Sequence, residues 1–163
     1  MPKVSVCSSN GNLLVIRVDA ILAGRAIDVY NDGKMERDFT HVSDIVRGIQ
    51  LLMECIPDGP NDIHDANNTK AALEEDSLSP VAPFRIVNLG NSEKVALMDC
   101  IEAIESSLGV KAIRNYMPMQ KGDVLETLAD GTLLKRLTGY QPQVGYKDGV
   151  ERFVKWFREY YQR

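Results

Sequence analysis

Short β-branched runs alternate with amphipathic helical stretches along most of this sequence, and the alternation constrains the fold more than any other feature. Ala26–Tyr30 has the pattern of a strand, and the Asn31–Gly33 step that follows it favours a tight turn. Lys34–Thr40 then returns as an extended segment. Strands that alternate with helices predict an α/β fold for this chain of 163 residues.

The clearest predicted helix follows the extended segment directly. Ser43 and Asp44 are cap-type residues at its start, and Pro57 ends the run. The apolar positions between them are spaced for one helical face: Ile45, Val46, Ile49, Leu52 and Met53. A second helix is predicted over Leu97–Leu108, where Gly109 supplies the stop.

The remaining segments continue the same pattern. Phe84–Leu89 reads as a mostly buried strand, and Ala112–Tyr116 as another. Asp130 is placed to cap a short helix that runs through Leu137. Gly149–Tyr161 has aromatic and apolar residues at three- and four-residue spacing, which predicts an amphipathic helix near the end of the chain.

Two regions depart from this regular alternation. Val4–Cys7 and Leu13–Val18 are β-branched runs that flank an Asn-Gly step, which predicts a hairpin. Residues 58–83 are rich in proline and acidic side chains, and we predict a mobile surface loop there.

Composition narrows the classes of function. A net charge of -4 and a pI near 5.2 argue against a nucleic-acid partner, which requires clustered basic residues. No apolar stretch approaches the about 20 residues of a membrane span, and Met1–Val18 is too polar for a signal peptide. Cys7, Cys55 and Cys100 have neither disulfide nor zinc spacing. These features predict a cytoplasmic protein with reduced thiols.

Tyr30 and Lys34 match the Tyr-x-x-x-Lys spacing of a catalytic pair. That chemistry requires both side chains on one helical face, whereas Asn31–Gly33 favours a turn. We therefore read the match as accidental and assign no catalytic residue. The glycines also never fall in a Gly-x-Gly-x-x-Gly order, so the sequence offers no self-contained dinucleotide loop.

Two further patterns each have a structural and a functional interpretation. Arg37 and Asp38 satisfy hydrogen bonds at the end of an element, or else the guanidinium binds a phosphate. Gln120–Asp123 forms a turn with a capping carboxylate, or else the carboxylate accepts hydrogen bonds from ribose hydroxyls. His41 and His64 have no metal-ligand spacing, and we read His41 as a packed residue beside a helix start.

Taken in order, the motifs of this chain resemble the C-terminal part of the extended short-chain dehydrogenase/reductase family, and the UDP-glucuronate 4-epimerases within it most closely. The resemblance covers roughly residues 19–163, which it implies are a substrate-binding C-terminal region. Residues 1–18 do not fit the family pattern, so we treat them as an atypical N-terminal segment. The motifs that carry it are Ile27–Asn31, Arg37–Asp44, Arg85–Ser92, Leu97–Asp99, Pro118–Val124, Thr127, Ala129–Asp130, Gly139–Tyr140 and Gly149–Val150.

The resemblance implies the substrate-binding half of a nucleotide-sugar epimerase, without most of the Rossmann domain that holds NAD and without the catalytic Tyr/Lys pair. NAD is the cofactor of the full-length family, and we expect none to bind this chain alone. By the same resemblance Val29 and Tyr30 would lie against the uracil of a UDP-sugar, and Arg37 would pair with its pyrophosphate. Gln120 would lie close to the pyrophosphate, and Asp123 would bond the ribose.

Several alternatives stay open at this point. Lys121 and Ser43 depart from the usual Pro and Asp of glucuronate epimerases, which leaves the sugar open. The reaction of the full family member is epimerisation, or else dehydration or decarboxylation. A different possibility is a non-catalytic module that docks on a full-length epimerase. We also expect apolar faces on Val42–Ile56 and Phe84–Leu89 to need cover, from the missing Rossmann half or from a second copy of the chain.

Overall fold

The computed structural model describes residues 11–57, 76–79 and 81–163, and it confirms a mixed α/β fold. None of the helices in these ranges is long and apolar enough to cross a membrane. In chain order the described elements are α1 (Gly11–Leu22), β1 (Ile27–Tyr30), a 3₁₀ turn (Asn31–Gly33), β2 (Glu36–Asp38), α2 (Val42–Met53), β3 (Lys94–Ala96), α3 (Leu97–Leu108), β4 (Arg114–Met117), α4 (Thr132–Thr138) and α5 (Tyr146–Tyr161).

The described strands form two small sheets. β1 and β4 pair in parallel, with Ile27 opposite Arg114 and Tyr30 opposite Met117. β2 and β3 pair antiparallel, with Arg37 opposite Val95. Two parallel strands need a long crossover connection. The connection between β1 and β4 includes α3, which packs against the core.

The hydrophobic core lies between α1, β1, α3 and α5. Fully buried side chains at three- and four-residue spacing form the inner faces of α3 and α5: Ile101, Ile104, Phe153 and Phe157. This is the periodicity that the sequence predicted. α3 ends at Gly109, whose φ of +70° lets it close the helix in the left-handed conformation.

A buried carboxylate joins the end of α3 to the start of β4. Glu105, with only 1% of its side chain exposed, accepts hydrogen bonds from Lys111 Nζ at 2.7 Å and Arg114 Nη2 at 2.8 Å. The main-chain N–H of Ala112 donates a third bond at 3.1 Å. Burial raises the pKa of Glu105, but these hydrogen bonds outweigh burial and lower it to about 2.

The predicted N-terminal hairpin is wrong in its second strand. Leu13–Val18 lies within helix α1, and Val4–Cys7 falls outside the described residues. Leu14, Val18 and Ile21 recur at helical spacing and are all buried in the core. Packing of that apolar stripe outweighs the β propensity of the branched side chains.

The strand predicted over Phe84–Leu89 is also wrong. It joins no sheet in the described residues, and the Ser77 hydroxyl instead bonds both the N–H and the C=O of Ile86. A strand is stabilised by a neighbouring strand, and the described part of the chain supplies none here. Most of the loop predicted over residues 58–83 lies outside the described residues.

Helix α2 forms where it was predicted, but its cap differs. His41, not Ser43 or Asp44, is the N-cap residue, and its Nδ1 accepts a hydrogen bond from the N–H of Ser43 at 3.3 Å. Asp44 is buried and accepts from the N–H groups of Gln143 and Val144. As predicted, His41 is therefore a packed residue at a helix start, and burial lowers its pKa.

Replacing Glu105 with Gln is expected to lower the free energy of unfolding by about 2 kcal/mol at pH 7, because charge-assisted hydrogen bonds are lost. The pKa of Glu105 is lower in the folded state, so its contribution is complete above pH about 4.5 and disappears as the pH falls toward 2. Urea denaturation of both proteins at pH 7 and pH 3 measures this. A difference in stability that stays constant between the two pH values would contradict the assignment.

Candidate functional site

The candidate site lies where β2 runs beside the loop that follows β4. Arg37, on β2, donates from Nη2 to Asp123 Oδ1 at 2.9 Å. Its Nη1 donates to the carbonyl of Glu36 at 2.9 Å and to that of Leu125 at 3.2 Å. The side chains of Arg37 and Asp123 are 14% and 28% exposed, so the ion pair is held in place but open to a ligand from one side.

Main-chain hydrogen bonds fix that loop against β2. The N–H of Glu36 donates to Leu125 O at 2.9 Å, and the N–H of Thr127 donates to Glu36 O at 3.2 Å. The result is an isolated parallel bridge between Glu36 and Glu126. Because the bridge sets the position of the loop, it also sets the distance between Asp123 and Arg37.

Asp38 organises the opposite side of β2. Its carboxylate accepts hydrogen bonds from the N–H groups of Asn91 at 3.1 Å, Ser92 at 3.0 Å and Ala129 at 3.1 Å. Gly90 permits this arrangement, because a Cβ there would lie 2.4 Å from Ala129 Cβ and 3.0 Å from the Asp38 carboxylate. For Asp38, the structure supports the interpretation as a structural hydrogen-bond acceptor. The sequence motif contained these residues, but their spacing gave no sign of this contact.

The other predicted site residues differ in how much of each is exposed to a ligand. Gln120 is exposed and lies in the same turn as Asp123, whose N–H donates to Gln120 O at 3.2 Å. Tyr30 is half-buried at the end of β1 and packs against the core. The Val29 side chain is fully buried, so only its main chain is available to a ligand. The structure thus pairs Arg37 with Asp123 and puts Gln120 in the same turn as Asp123. Val29 and Tyr30 lie on β1, which belongs to the other sheet.

The Tyr-x-x-x-Lys match falls in a turn, as predicted. Asn31 and Asp32 have φ values of +52° and +51°, and the N–H of Lys34 donates back to Asn31 O. Tyr30 therefore ends a strand while Lys34 follows a reversal, and the two residues share no helical face.

The charges around the site suit an anionic ligand with hydroxyl groups. Arg37 offers a planar cation, and Asp123 offers an acceptor. Nearby, Lys94 donates to Glu126 at 2.6 Å, and this hydrogen bond raises the pKa of Lys94. The described ranges contain no cluster of three His, Cys, Asp or Glu side chains arranged to hold a metal ion, and His64 lies outside them.

The two described junctions where a strand leads directly into an α-helix lack the features of a dinucleotide loop. A Rossmann site needs glycines where a strand turns directly into a helix, so that the pyrophosphate reaches the helix N-terminus. In the described residues, β2 passes into α2 through Phe39–His41, and β3 passes straight into α3. Neither junction contains a glycine.

The close packing at Gly90 predicts that Gly90→Ala and Gly149→Ala have opposite effects on stability. Gly90→Ala is expected to destabilise the fold by about 1–3 kcal/mol, because the added methyl group overlaps Ala129. Gly149→Ala is the control: it lies in α5, its Cβ would meet His41 at an ordinary 3.6 Å, and it is expected to stabilise by about 0.5–1 kcal/mol. Thermal denaturation compares the two, and equal melting temperatures would contradict the packing.

Comparison with known proteins places this geometry in a family. A family model described as GDP-mannose 4,6 dehydratase matches residues 11–153, so the match begins before the Asp19 boundary that the sequence predicted. A probable UDP-glucuronate 4-epimerase of Rhizobium meliloti is 44% identical over 146 residues, which are 90% of this chain and 41% of that protein.

Solved structures agree on the fold. UDP-glucuronic acid 4-epimerase of Bacillus cereus, in complex with UDP-glucuronic acid and NAD, aligns with a TM-score of 0.70 at 23% identity over 91% of this chain and 40% of that chain. DesIV of Streptomyces venezuelae, a dTDP-glucose 4,6-dehydratase with NAD and TYD bound, aligns with a TM-score of 0.66 at 26% identity over 90% of this chain and 38% of that chain.

This chain therefore spans about two fifths of the length of the relatives it matches. The matched part is their C-terminal portion. The range matched by the family model covers both Arg37 and Asp123 of this chain. The chain belongs to the family described as GDP-mannose 4,6 dehydratase and corresponds to the C-terminal portion of the extended short-chain dehydrogenase/reductases that act as nucleotide-sugar epimerases and dehydratases.

Proposed function

We propose that this chain is the substrate-binding portion of an NAD-dependent nucleotide-sugar 4-epimerase of the UDP-glucuronate type. It binds the UDP part of the substrate and does not catalyse the reaction alone. The observation that carries the proposal is the 2.9 Å pair between Arg37 and Asp123, which sets a phosphate-binding cation beside a hydroxyl-binding acceptor.

The geometry supports separate tasks for the two ends of the site. The Arg37 guanidinium has a planar set of donors that matches the oxygens of a pyrophosphate. We assign Asp123 to the ribose hydroxyls, and we assign exposed Gln120, which lies in the same turn, to the phosphates. The uracil would rest on the main chain of Val29 and on Tyr30, at the end of β1.

The relatives support this choice of substrate and cofactor. The Rhizobium meliloti protein is named for UDP-glucuronate, and the Bacillus cereus enzyme is bound to UDP-glucuronic acid and NAD. The likeness to a dTDP-glucose 4,6-dehydratase keeps dehydration as the alternative reaction. NAD would be held by residues other than those described here, because neither direct strand-to-helix junction contains the required glycines. The proposed setting is the cytoplasm.

An apolar surface supports a partner for this portion of the fold. It consists of exposed side chains on and after α2 and on Phe84–Leu89: Val46, Ile49, Met53, Ile56, Phe84 and Ile86. At the end of Phe84–Leu89, the Leu89 side chain lies beside Gly48 of α2. We assign this surface to contact with a Rossmann domain. A second copy of the chain, or docking as a non-catalytic module, is the alternative occupant.

Titration of isotopically labelled protein with UDP-glucuronate tests the substrate assignment. Amide resonances of residues 36–38 and 120–125 are expected to shift with UDP-glucuronate and to ignore NAD. Arg37→Ala is expected to weaken UDP-glucuronate binding by at least about tenfold, because a charge-assisted contact is lost. Arg25→Ala, which removes an exposed arginine paired with Asp19, should bind like the original protein. Binding that survives Arg37→Ala would overturn the assignment.

The apolar surface gives a second prediction. Met53 is 77% exposed on α2, and Met53→Lys is expected to lower the binding of a hydrophobic dye and any self-association, without lowering the melting temperature. Val110→Lys is the matched control, because Val110 is 44% exposed and lies outside this surface. Dye fluorescence and sedimentation measure both variants, and equal effects would show that the α2 surface has no special role.

A further inference from the structure

His41 joins the start of α2 to the start of α5. Its Nδ1 accepts a hydrogen bond from the N–H of Ser43 at 3.3 Å, and the Ser43 hydroxyl lies 2.7 Å from the same nitrogen. On its other side the ring faces α5, where a Cβ at Gly149 would lie 3.6 Å from His41 Cδ2. One side chain thus caps one helix and packs on another.

The hydrogen bonds of the ring require its neutral form. An Nδ1 that accepts a hydrogen bond carries no proton, so the neutral ring holds its proton on Nε2. A second proton would go to Nδ1 and end the cap bond from the N–H of Ser43. It would also place a positive charge at the N-terminus of α2, where the helix dipole disfavours a cation.

The surroundings of the ring offer a positive charge little hydration. His41 is 8% exposed, and its Nε2 has no hydrogen-bond partner among the described residues. The ring borders a cavity of about 10 Å³, together with Phe39, residues 144–146, Gly149 and Val150. That volume is at the lower limit for a single water molecule. A charged ring therefore gains water contacts when α2 and α5 move apart.

Charged side chains of both helices act on the ring. Burial lowers the pKa of His41, and the cation of Arg152 on α5 lowers it further. Asp44 on α2 and Asp148 on α5 act in the opposite direction. Both carboxylates are already engaged, since Asp148 pairs with Arg152 at 2.8 Å and Asp44 accepts from N–H groups of the loop before α5. The net result is a pKa below the ordinary value of 6.5.

We propose that His41 is a proton-sensitive latch: the neutral ring holds the start of α2 against the start of α5, and the protonated ring opens that contact. The folded protein holds fewer protons on His41 than the unfolded chain does. Stability is therefore complete above pH 6.5 and falls as the pH drops below that value. The latch does not depend on which ligand the chain binds.

Thermal denaturation of the full chain at pH 7.5 and pH 5 tests the latch. The melting temperature of the original protein is expected to be about 2–4 °C lower at pH 5, the size expected when one helix cap is lost. In His41→Asn the decrease should be at least about 2 °C smaller, because asparagine caps a helix and does not titrate. Glu105 adds nothing to this difference, since its own pH dependence lies below pH about 4.5.

His64→Gln is the control for histidine titration in general. The sequence contains two histidines, so this variant should keep the decrease at pH 5 and also identifies the ring signal of His41 in NMR spectra. That signal is expected to titrate below pH 6.5. Over the same titration the amides of Ser43 and Val144 should lose about fivefold in protection against hydrogen exchange, after correction for the intrinsic effect of pH.

The outcomes decide for or against the latch. A His41 ring that titrates at or above pH 6.5 overturns it, and so does an equal decrease in melting temperature in His41→Asn. A decrease confined to proteins that keep His41 supports it. If His41→Asn does not fold, the original protein still decides: protection at Ser43 and Val144 that stays constant while the ring titrates overturns the latch.

Discussion

The Asp38 carboxylate is the contact on which the rest of this site depends. It binds three main-chain N–H groups, two from Asn91 and Ser92 and one from Ala129, and so joins β2 to two distant segments. Its neighbour Arg37 lies on the other face of the same strand, because successive side chains of a strand alternate. The position of Arg37 therefore follows from an anchor on the opposite face of the strand.

Local pattern was enough to predict the parts of the fold that are stabilised locally or by a single buried stripe. The helix over Leu97–Leu108 formed within the predicted bounds, because its apolar spacing and its Gly109 stop indicate the same element. The turn after Tyr30 formed for a similar reason, since Asn31 and Asp32 tolerate positive φ. In both cases the residues that decide the structure are within a few positions of each other.

The sequence predictions failed where contacts with distant residues determine the local structure. Leu13–Val18 is β-branched, yet its buried stripe makes it a helix against the core. Phe84–Leu89 has the composition of a strand, but a strand needs a neighbour that the described chain does not provide. At the site, the resemblance named Arg37 and Asp123 separately, and only the three-dimensional structure shows that they bind each other across 86 positions of sequence.

One short stretch of chain connects the candidate site with the apolar surface. Phe84–Leu89 carries exposed apolar side chains and leads directly into Gly90–Ser92, whose last two N–H groups bind Asp38. A contact that orders the first part of this stretch also restricts the second, because no linker separates them. Exposed Phe84 and Ile86 therefore lie within a few residues of the N–H groups that hold Asp38, the neighbour of Arg37 on β2.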